Sequence, residues 1–425
     1  MRRPPPRSVS RFVCLLAAGV AGSAGAAAPA PTHRDPALLP ERIVLNLTAA
    51  PAESMAVTWR TSRPPTQPIV EIAPATTAPP DPATARRVAA RSERVERDAS
   101  SQAWHHHAIL AGLPPGQVHA YRVGDGAEHW SEWSTFRTAE AGSAPFRFLY
   151  FGDPQNGLRE HCARVFRAAQ RLAPDSAFYL IAGDLVTSTI VDEQWDDLFY
   201  AAGWLPREIP GLTTPGNHDY GQFLVGGRQR KAASPLFRAH FTLPENGPPG
   251  LEETTYFVDY QGVRLISLNG NERIEDQVAW LDRILATRPQ RWTIVFMHQP
   301  VYSTGKNRDN PRLREALLPV YDRHAVDLVL QGHDHSYGRT HRLRSGRRVA
   351  DDQPGTVYAV SVSGPKFYPV NPTHAHLMAR IDTGQQLFQV IAVDGAALKY
   401  EAWTVTGTLH DAFELGKIPA TAATP

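Results

Sequence analysis

Five short stretches carry the residues able to do chemistry. They are Phe148-Leu149-Tyr150-Phe151-Gly152-Asp153, Leu180-Ile181-Ala182-Gly183-Asp184, Thr214-Pro215-Gly216-Asn217-His218-Asp219, Ile294-Val295-Phe296-Met297-His298 and Leu328-Val329-Leu330-Gln331-Gly332-His333-Asp334-His335. In most of them an apolar run ends in a polar residue, often after a small residue or a glycine. That reads as a buried strand stopping at a sharp turn with a ligand atom at its C-terminal edge, the edge outside which ligands sit in open α/β sheets. In chain order the set is Asp, Asp, Asn-His, His, His-x-His. Carboxylate, amide oxygen and imidazole suit Zn, Mn or Fe, whereas a soft site would need thiolates. Asp184 reads as a carboxylate shared by two cations. Two cations held by one carboxylate lie about 3.5–4 Å apart, the spacing used for in-line displacement at phosphorus.

These ligands need an alternating strand–helix frame, and the chain from Phe146 onward, after the Glu140–Pro145 boundary, supplies one. Helices are expected over Glu160 to Leu172, Glu193 to Ala202, Glu275 to Thr287 and Pro311 to His324. Apolar residues at 278, 281, 284 and 285 keep helical spacing. Thr255 to Tyr260 and Val263 to Asn269 flank Gln261-Gly262 as a hairpin. Further strands are expected at Thr356 to Ser363, His376 to Asp382 and Leu387 to Val393. The frame is α/β, with a second sheet packed on the first and helices outside.

The chain before the boundary reads as all-β. Ile43-Val44-Leu45 and Met55 to Arg60 alternate like half-buried strands. Ile69 to Ile72, His106 to Leu113, Val118 to Val123 and Trp133 to Thr138 complete a small sandwich. His105-His106-His107 cannot chelate together, because adjacent strand side chains point to opposite faces.

Composition narrows the class. With 425 residues the chain is long enough for two or three domains. Residues 1–28 read as a secretory leader: Arg2, Arg3, Arg7 and Arg11, then apolar Phe12 to Val20, then small residues. The apolar part is short of the ~20 residues that span a bilayer, so no stable membrane anchor is expected and the product is secreted or periplasmic. Removing four arginines turns a formal charge of +2 into about −2, and no basic patch suggests nucleic acid. Of two cysteines, Cys14 leaves with the leader. Cys162 remains as a buried hydrophobe without a disulfide partner. Residues 29–40 read as a linker and 416–425 as a disordered tail.

Gly216-Asn217-His218-Asp219 and Gly332-His333-Asp334-His335, in this order, resemble the calcineurin-like metallophosphoesterase superfamily, and its purple acid phosphatase-like branch most. Ser54 to Trp59, Leu110 to Gly116, Tyr121 to Asp125 and Phe136 to Ala139 are similar to the fibronectin type III domain that precedes such enzymes. The resemblance implies a four-layer α/β/β/α sandwich over 146–410, preceded by an immunoglobulin/fibronectin-like sandwich over 41–140. It implies that Asp153, Asp184 and His335 hold one metal, and that Asp184, Asn217, His298 and His333 hold the second. His218 then faces the substrate phosphate as proton donor or transition-state stabiliser. Asp219 orients His218 or caps a turn, and Tyr337 and Arg339 support the ligands from behind.

Two positions depart from the family pattern. Purple enzymes carry a ferric-binding tyrosine three residues after the shared Asp; here it is Thr187. Other members place a His two residues after the first Asp; here it is Gln155. Gln155 or Asn156 could supply an amide oxygen there. Arg308, Lys306 and Asn307 are candidates for substrate contact, and His374 and His376 for approach to the metals. His161 and His324 read as ordinary helix residues. The expected activity is an exported, dinuclear-metal phosphomonoesterase on small phosphate esters, working by attack of a metal-bound hydroxide. The alternatives are a phosphodiesterase of the same chemistry, or a binding or scaffold protein with a degenerate first metal site.

Overall fold

The computed structural model describes residues 38–64, 66–96, 102–225, 228–287 and 290–417. The expected leader, residues 29–37 of the linker and residues 418–425 lie outside them.

Two sheets make the N-terminal sandwich. One holds Glu41–Leu47, Ser54–Thr61, Gln102–Ala111 and Arg91–Glu96; the other holds Arg86–Ala89, Ile69–Pro74, Val118–Gly124 and Ser134–Arg137. The first does not end at the sandwich. Glu41–Leu47 pairs in parallel with Gly211–Thr213 at Asn46 and Gly211, so that sheet runs on through Tyr179–Ile181, Phe146–Phe151, Leu387–Asp394, Ala397–Thr404 and Leu409–Gly416 as ten continuous strands.

That continuity corrects the half-buried reading of Met55 to Arg60, which lie in the strand Ser54–Thr61, buried at every position. Its second face meets protein rather than water. Thr58 Oγ1 lies 2.9 Å from Thr242 Oγ1, and Arg60 Nη1 donates to Asp192 Oδ2 at 2.8 Å.

Seven strands form the facing sheet, in the order Tyr256–Tyr260, Val263–Leu268, Trp292–Met297, Leu328–Gln331, Val357–Val360, Tyr337–Thr340 and Met378–Asp382. Strand alternation divides its side chains cleanly. Val263, Leu265, Ile294, Phe296, Leu328 and Leu330 enter the core shared with the ten-stranded sheet. Ile266, Leu268, Val295, Met297 and Val329 pack instead on Trp280, Leu281, Leu317 and Tyr321, which belong to the helices Ile274–Ala286 and Pro311–His324. Helix Ala163–Leu172 lies against the first sheet, with Phe166 4.8 Å from the Phe151 ring. The result is four layers, α/β/β/α, following an all-β region.

Several elements depart from the sequence reading. Arg86–Ala89 and Arg91–Glu96 are strands despite their charge, as exposed edge strands tolerate. Tyr220–Val225 and Arg228–Ala233 form an unforeseen hairpin. The last strand reaches Gly416, and Lys417 Nζ lies 2.7 Å from Asp327, so ordered structure passes both 410 and 416. Tyr337 and Arg339 do not support the ligands: both bond Asp411, at 2.8 and 2.7 Å, and tie the last strand of one sheet to the other. His374 and His376 sit on a 3-10 turn, Pro372–Leu377, capped by Asn371, and not on a strand. Among the described residues no helix is long and apolar enough to cross a membrane.

Candidate metal centre

Each candidate ligand stands just past the C-terminal end of a parallel strand. Asp153 follows Phe146–Phe151, Asp184 follows Tyr179–Ile181, and Asn217 and His218 follow Gly211–Thr213, all in the ten-stranded sheet. His298 follows Trp292–Met297, and His333 and His335 follow Leu328–Gln331, in the seven-stranded sheet. The two sheet edges meet, so the six strand-end ligands face one another. Glycine permits the approach. A Cβ on Gly216 would lie 2.2 Å from Asp184 Oδ1, and one on Gly332 would lie 2.1 Å from Asp153 Oδ1. Asp184, His333 and His335 themselves take φ of 49°, 71° and 48°, a costly region for such residues that is held at functional sites when surroundings impose it.

Two groups of ligand atoms converge within 4.8 Å: Asp184, His298 and His333, and Asp153, Asp184 and His335. Asp184 belongs to both. In the first group His298 Nε2 lies 3.1 Å from Asp184 Oδ2, 3.2 Å from Asn217 Oδ1 and 3.0 Å from His333 Nδ1. In the second, His335 Nε2 lies 3.3 Å from Asp153 Oδ2. Gln155 enters this group: its Nε2 is 2.9 Å from Asp184 Oδ2 and 3.1 Å from His335 Nε2. Backbone carbonyls fix the rings, with His298 Nδ1 2.9 Å from Ala182 O and His335 Nδ1 3.0 Å from Lys366 O. Both Nε2 atoms are thereby turned inward, toward the carboxylates.

The donor set fits cations. Among the described residues Gln155 Oε1 is buried with no hydrogen-bond partner and Asp153 Oδ2 has only the His335 ring, 3.3 Å away, and half a turn of the Gln155 amide brings its oxygen to where Nε2 stands. Electrostatics agree. Burial alone would lower His298, but Asp184 and Asp153 beside it push it up to about 9. Burial would raise Asp153 and Asp184, yet His298 holds both carboxyls below their usual range. Burial, with His298 and Arg308 nearby, depresses His333 to about 2. The two carboxylates thus draw one proton onto His298, and divalent cations would compete for that place.

His218 lies beside this group. Its backbone N–H donates to Asp184 Oδ1 at 2.8 Å, and its Nδ1 meets Thr187 O at 2.6 Å. Nδ1 is therefore the protonated donor, and Nε2 has no protein partner among the described residues. Asp219 does not orient it. Asp219 Oδ2 accepts from Gly216 N at 2.8 Å and closes the turn; burial and then Asp184 push its carboxyl well above the usual range. Thr187 Oγ1 accepts from Asn156 Nδ2 at 3.0 Å, so Asn156 bonds Thr187, and Gln155 is the residue that reaches the ligands.

Of the loop candidates, Arg308 approaches the site. Its guanidinium is 5.0 Å from the Tyr368 ring, and Tyr368 lies 4.9 Å from the His335 ring. Lys306 and Asn307 are exposed. His374 pairs with Asp309 at 2.9 Å, and His376 is exposed; neither approaches the ligands. His161 is on the surface by Glu160, His324 pairs with Asp282 at 2.7 Å, and the three consecutive histidines of the sandwich bond separate partners or none. Buried Cys162 meets Pro154 O at 2.7 Å beneath the Asp153–Gln155 turn, and burial pushes its thiol up to about 12.

Three useful residues escaped sequence reasoning. Asp334, between the two histidines, faces away and takes bonds from Ser303 Oγ, Thr304 N and Gly305 N at 2.8, 2.6 and 2.8 Å. It pins the loop that carries Arg308. Lys366 Nζ stands 5.1 Å from the Tyr368 ring. Asp334 stood inside the Gly332–His335 motif without a role, and no local pattern marked Lys366 or Tyr368.

Residues 40–138 match the family described as purple acid phosphatase, N-terminal domain, and residues 146–337 match calcineurin-like phosphoesterase. The chain belongs to the calcineurin-like metallophosphoesterases, in their purple acid phosphatase-like branch. Members of this family hold a dinuclear metal centre, and membership makes the chain a metal-dependent phosphoesterase. An uncharacterised protein of Mycobacterium tuberculosis is 29% identical over 441 residues, covering 86% of this chain and 80% of its own. Purple acid phosphatase 21 of Arabidopsis thaliana is 27% identical over 242 residues, 55% of this chain and 53% of that one. The structure of a purple acid phosphatase from yellow lupin seeds superposes with a TM-score of 0.74 at 19% identity, over 89% of this chain and 74% of that one; at that identity it speaks for the fold.

Proposed function

We propose that the chain is an exported phosphomonoesterase of low specificity. The observation that carries the reading is Asp184's membership of both ligand groups. Asp153, Asp184, His335 and Gln155 would hold one cation, and Asp184, Asn217, His298 and His333 the other. When bound, two cations supply positive charge against the phosphate oxygens and a water acidic enough to act as nucleophile near neutral pH. Zn, Mn and Fe all suit these donors. Thr187 offers no phenolate, so a tyrosinate-bound ferric ion and its colour are not expected.

The protein's own part is positioning and proton supply. As imidazolium, His218 keeps Nδ1–H on Thr187 O, 2.6 Å away, and presents Nε2–H to the leaving oxygen. The carbonyl stabilises the charged ring and fixes its plane. Lys366, beside the Tyr368 ring, adds positive charge at the rim, where the Arg308 charge is paired with Asp334 at 3.2 Å; this charge favours a dianionic monoester over a singly charged diester. Export rests on the leader pattern of residues 1–28.

Turnover of para-nitrophenyl phosphate against bis(para-nitrophenyl) phosphate tests this. The monoester should be preferred, and His218→Ala should lower kcat on an alkyl monoester, glycerol 2-phosphate, by about 10²–10⁴. Preference for the bis ester, or an unimpaired His218→Ala, would overturn the reading.

A further inference from the structure

The N-terminal sandwich reaches the catalytic histidine through a buried chain of bonds. Arg42, 6% exposed, and Arg60, fully buried, both lie on sandwich strands and converge on Asp192. Arg42 Nη1 donates to Asp192 Oδ1 at 2.8 Å and Nη2 to Oδ2 at 3.0 Å; Arg60 Nη1 donates to Oδ2 at 2.8 Å. Asp192 is the first residue of helix Asp192–Ala202, and the segment before that helix carries Thr187.

The helix then grips that segment. Ser188 N donates to Gln194 Oε1 at 2.8 Å, and Trp195 Nε1 donates to Thr189 O at 3.1 Å. Thr187 O, next to Ser188, is what fixes His218 Nδ1. A parallel route exists: Arg42 Nη1 lies 2.8 Å from His240 Nε2, and the His240 ring stacks on Trp195 at 4.7 Å and 19°.

Backbone strain points the same way. Arg42 has φ 50°, and the strand register shifts between Glu41 and Val44. A bulge of this kind re-aims a side chain and persists only when its surroundings impose it. Here the re-aimed side chain is the one that clamps Asp192.

We propose that Arg42 and Arg60 are positioning residues for His218, acting through Asp192 and the segment from Thr187 to Trp195. The sandwich is then part of the catalytic apparatus and not an appended module. The inference rests on His218 being the proton donor proposed above. A donor matters most when the leaving group is a poor one: nitrophenolate departs with little help, an alkoxide does not.

The test compares kcat/KM for para-nitrophenyl phosphate and glycerol 2-phosphate, on the metal-loaded full chain, for Arg42→Lys, Gln194→Ala and His218→Ala, and for each of the first two combined with His218→Ala. Arg42→Lys keeps the charge and loses the fork. Gln194 is half-buried, so Gln194→Ala folds even if Arg42→Lys does not. The expected result is that His218→Ala loses on the order of 10²-fold more on the alkyl ester than on the aryl ester. Arg42→Lys and Gln194→Ala should lose roughly 10-fold more on the alkyl ester, and neither should add a loss once His218 is alanine. Equal loss on both esters, or losses that add to that of His218→Ala, would overturn the inference and leave the donor reading standing. A His218→Ala variant without leaving-group discrimination would overturn both.

Discussion

Lowering the pH from 7 to 5 is expected to cost this fold several kcal/mol, because three buried histidines of the sandwich interface must stay neutral. His105 is fully buried, has no hydrogen-bond partner on either ring nitrogen among the described residues, and faces His240 edge-on at 4.8 Å. His240 meets an Arg42 donor at Nε2 and bonds Leu236 O through Nδ1. His106 sits between Ser92 and Thr61 hydroxyls, each 2.8 Å away. Burial, then His240 and the two arginines, depresses His105 well below the ordinary range; burial, then Arg42 and Arg60, does the same to His240; burial and then His107 take His106 to about 3. The native pKa lies below the unfolded value of about 6.5 in each case. Below that pH the unfolded chain binds protons that the native chain refuses, so stability falls, by about 1.4 kcal/mol per pH unit per histidine. Glu253 opposes this. Burial pushes it up to about 7, so the native state takes its proton first and gains a similar amount as pH falls from about 7 towards 4.5. Among these four groups the net of about two protons costs roughly 4 kcal/mol between pH 6.5 and 5, a large part of an ordinary domain's stability of about 5–15 kcal/mol. Urea unfolding followed by tryptophan fluorescence across this range measures it. His106→Gln keeps an amide donor and acceptor toward Ser92 and Thr61 and should flatten the slope by about 1.4 kcal/mol per pH unit. Stability that is level or rises toward pH 5, or an unchanged slope in the variant, would refute the reasoning.

Other perturbations have defined outcomes. Arg42→Ala removes two of the buried bonds to Asp192 while Arg60 stays paired with it, and should destabilise by about 1.5–3 kcal/mol in urea unfolding. Gln155→Leu should weaken binding of one cation by about 10–100-fold and spare the other, read by calorimetric titration of the apoprotein. Tyr337→Phe removes a bond to Asp411 and should open the Leu409–Gly416 strand to hydrogen exchange, at about 1–3 kcal/mol. Chelation should lower the unfolding midpoint, since a cation at a hundred times its Kd contributes about 2.7 kcal/mol.

Most of the ligands were readable because they end a short apolar run, and a run of that kind bounded by turn residues reads as a buried strand with an exposed end. Phe148 to Asp153 and Leu328 to His335 needed no knowledge of distant contacts. Arg42, Arg60 and Asp192 were not readable: the partners are some 130–150 positions apart, and an arginine in a strand looks like a solvent-facing one. Ser54–Thr61 misled for the same reason. Alternation marks a half-buried strand only when one face meets water, and here ion pairs and hydroxyls make a polar face buried. Arg91–Glu96 was missed because edge strands carry charge. Gln155 stood out as a departure from the family pattern, yet only the geometry brings its amide to Asp184 and His335.

Metal content of the purified chain by mass spectrometry, with para-nitrophenyl phosphate hydrolysis on the same sample before and after addition of Mn, Zn or Fe, tests the central claim. The account predicts about two metals per chain, as Asp184's two ligand groups require, together with turnover. One metal or none, with no turnover under any added ion, would mean that Gln155 and Thr187 mark a lost site, and would contradict it.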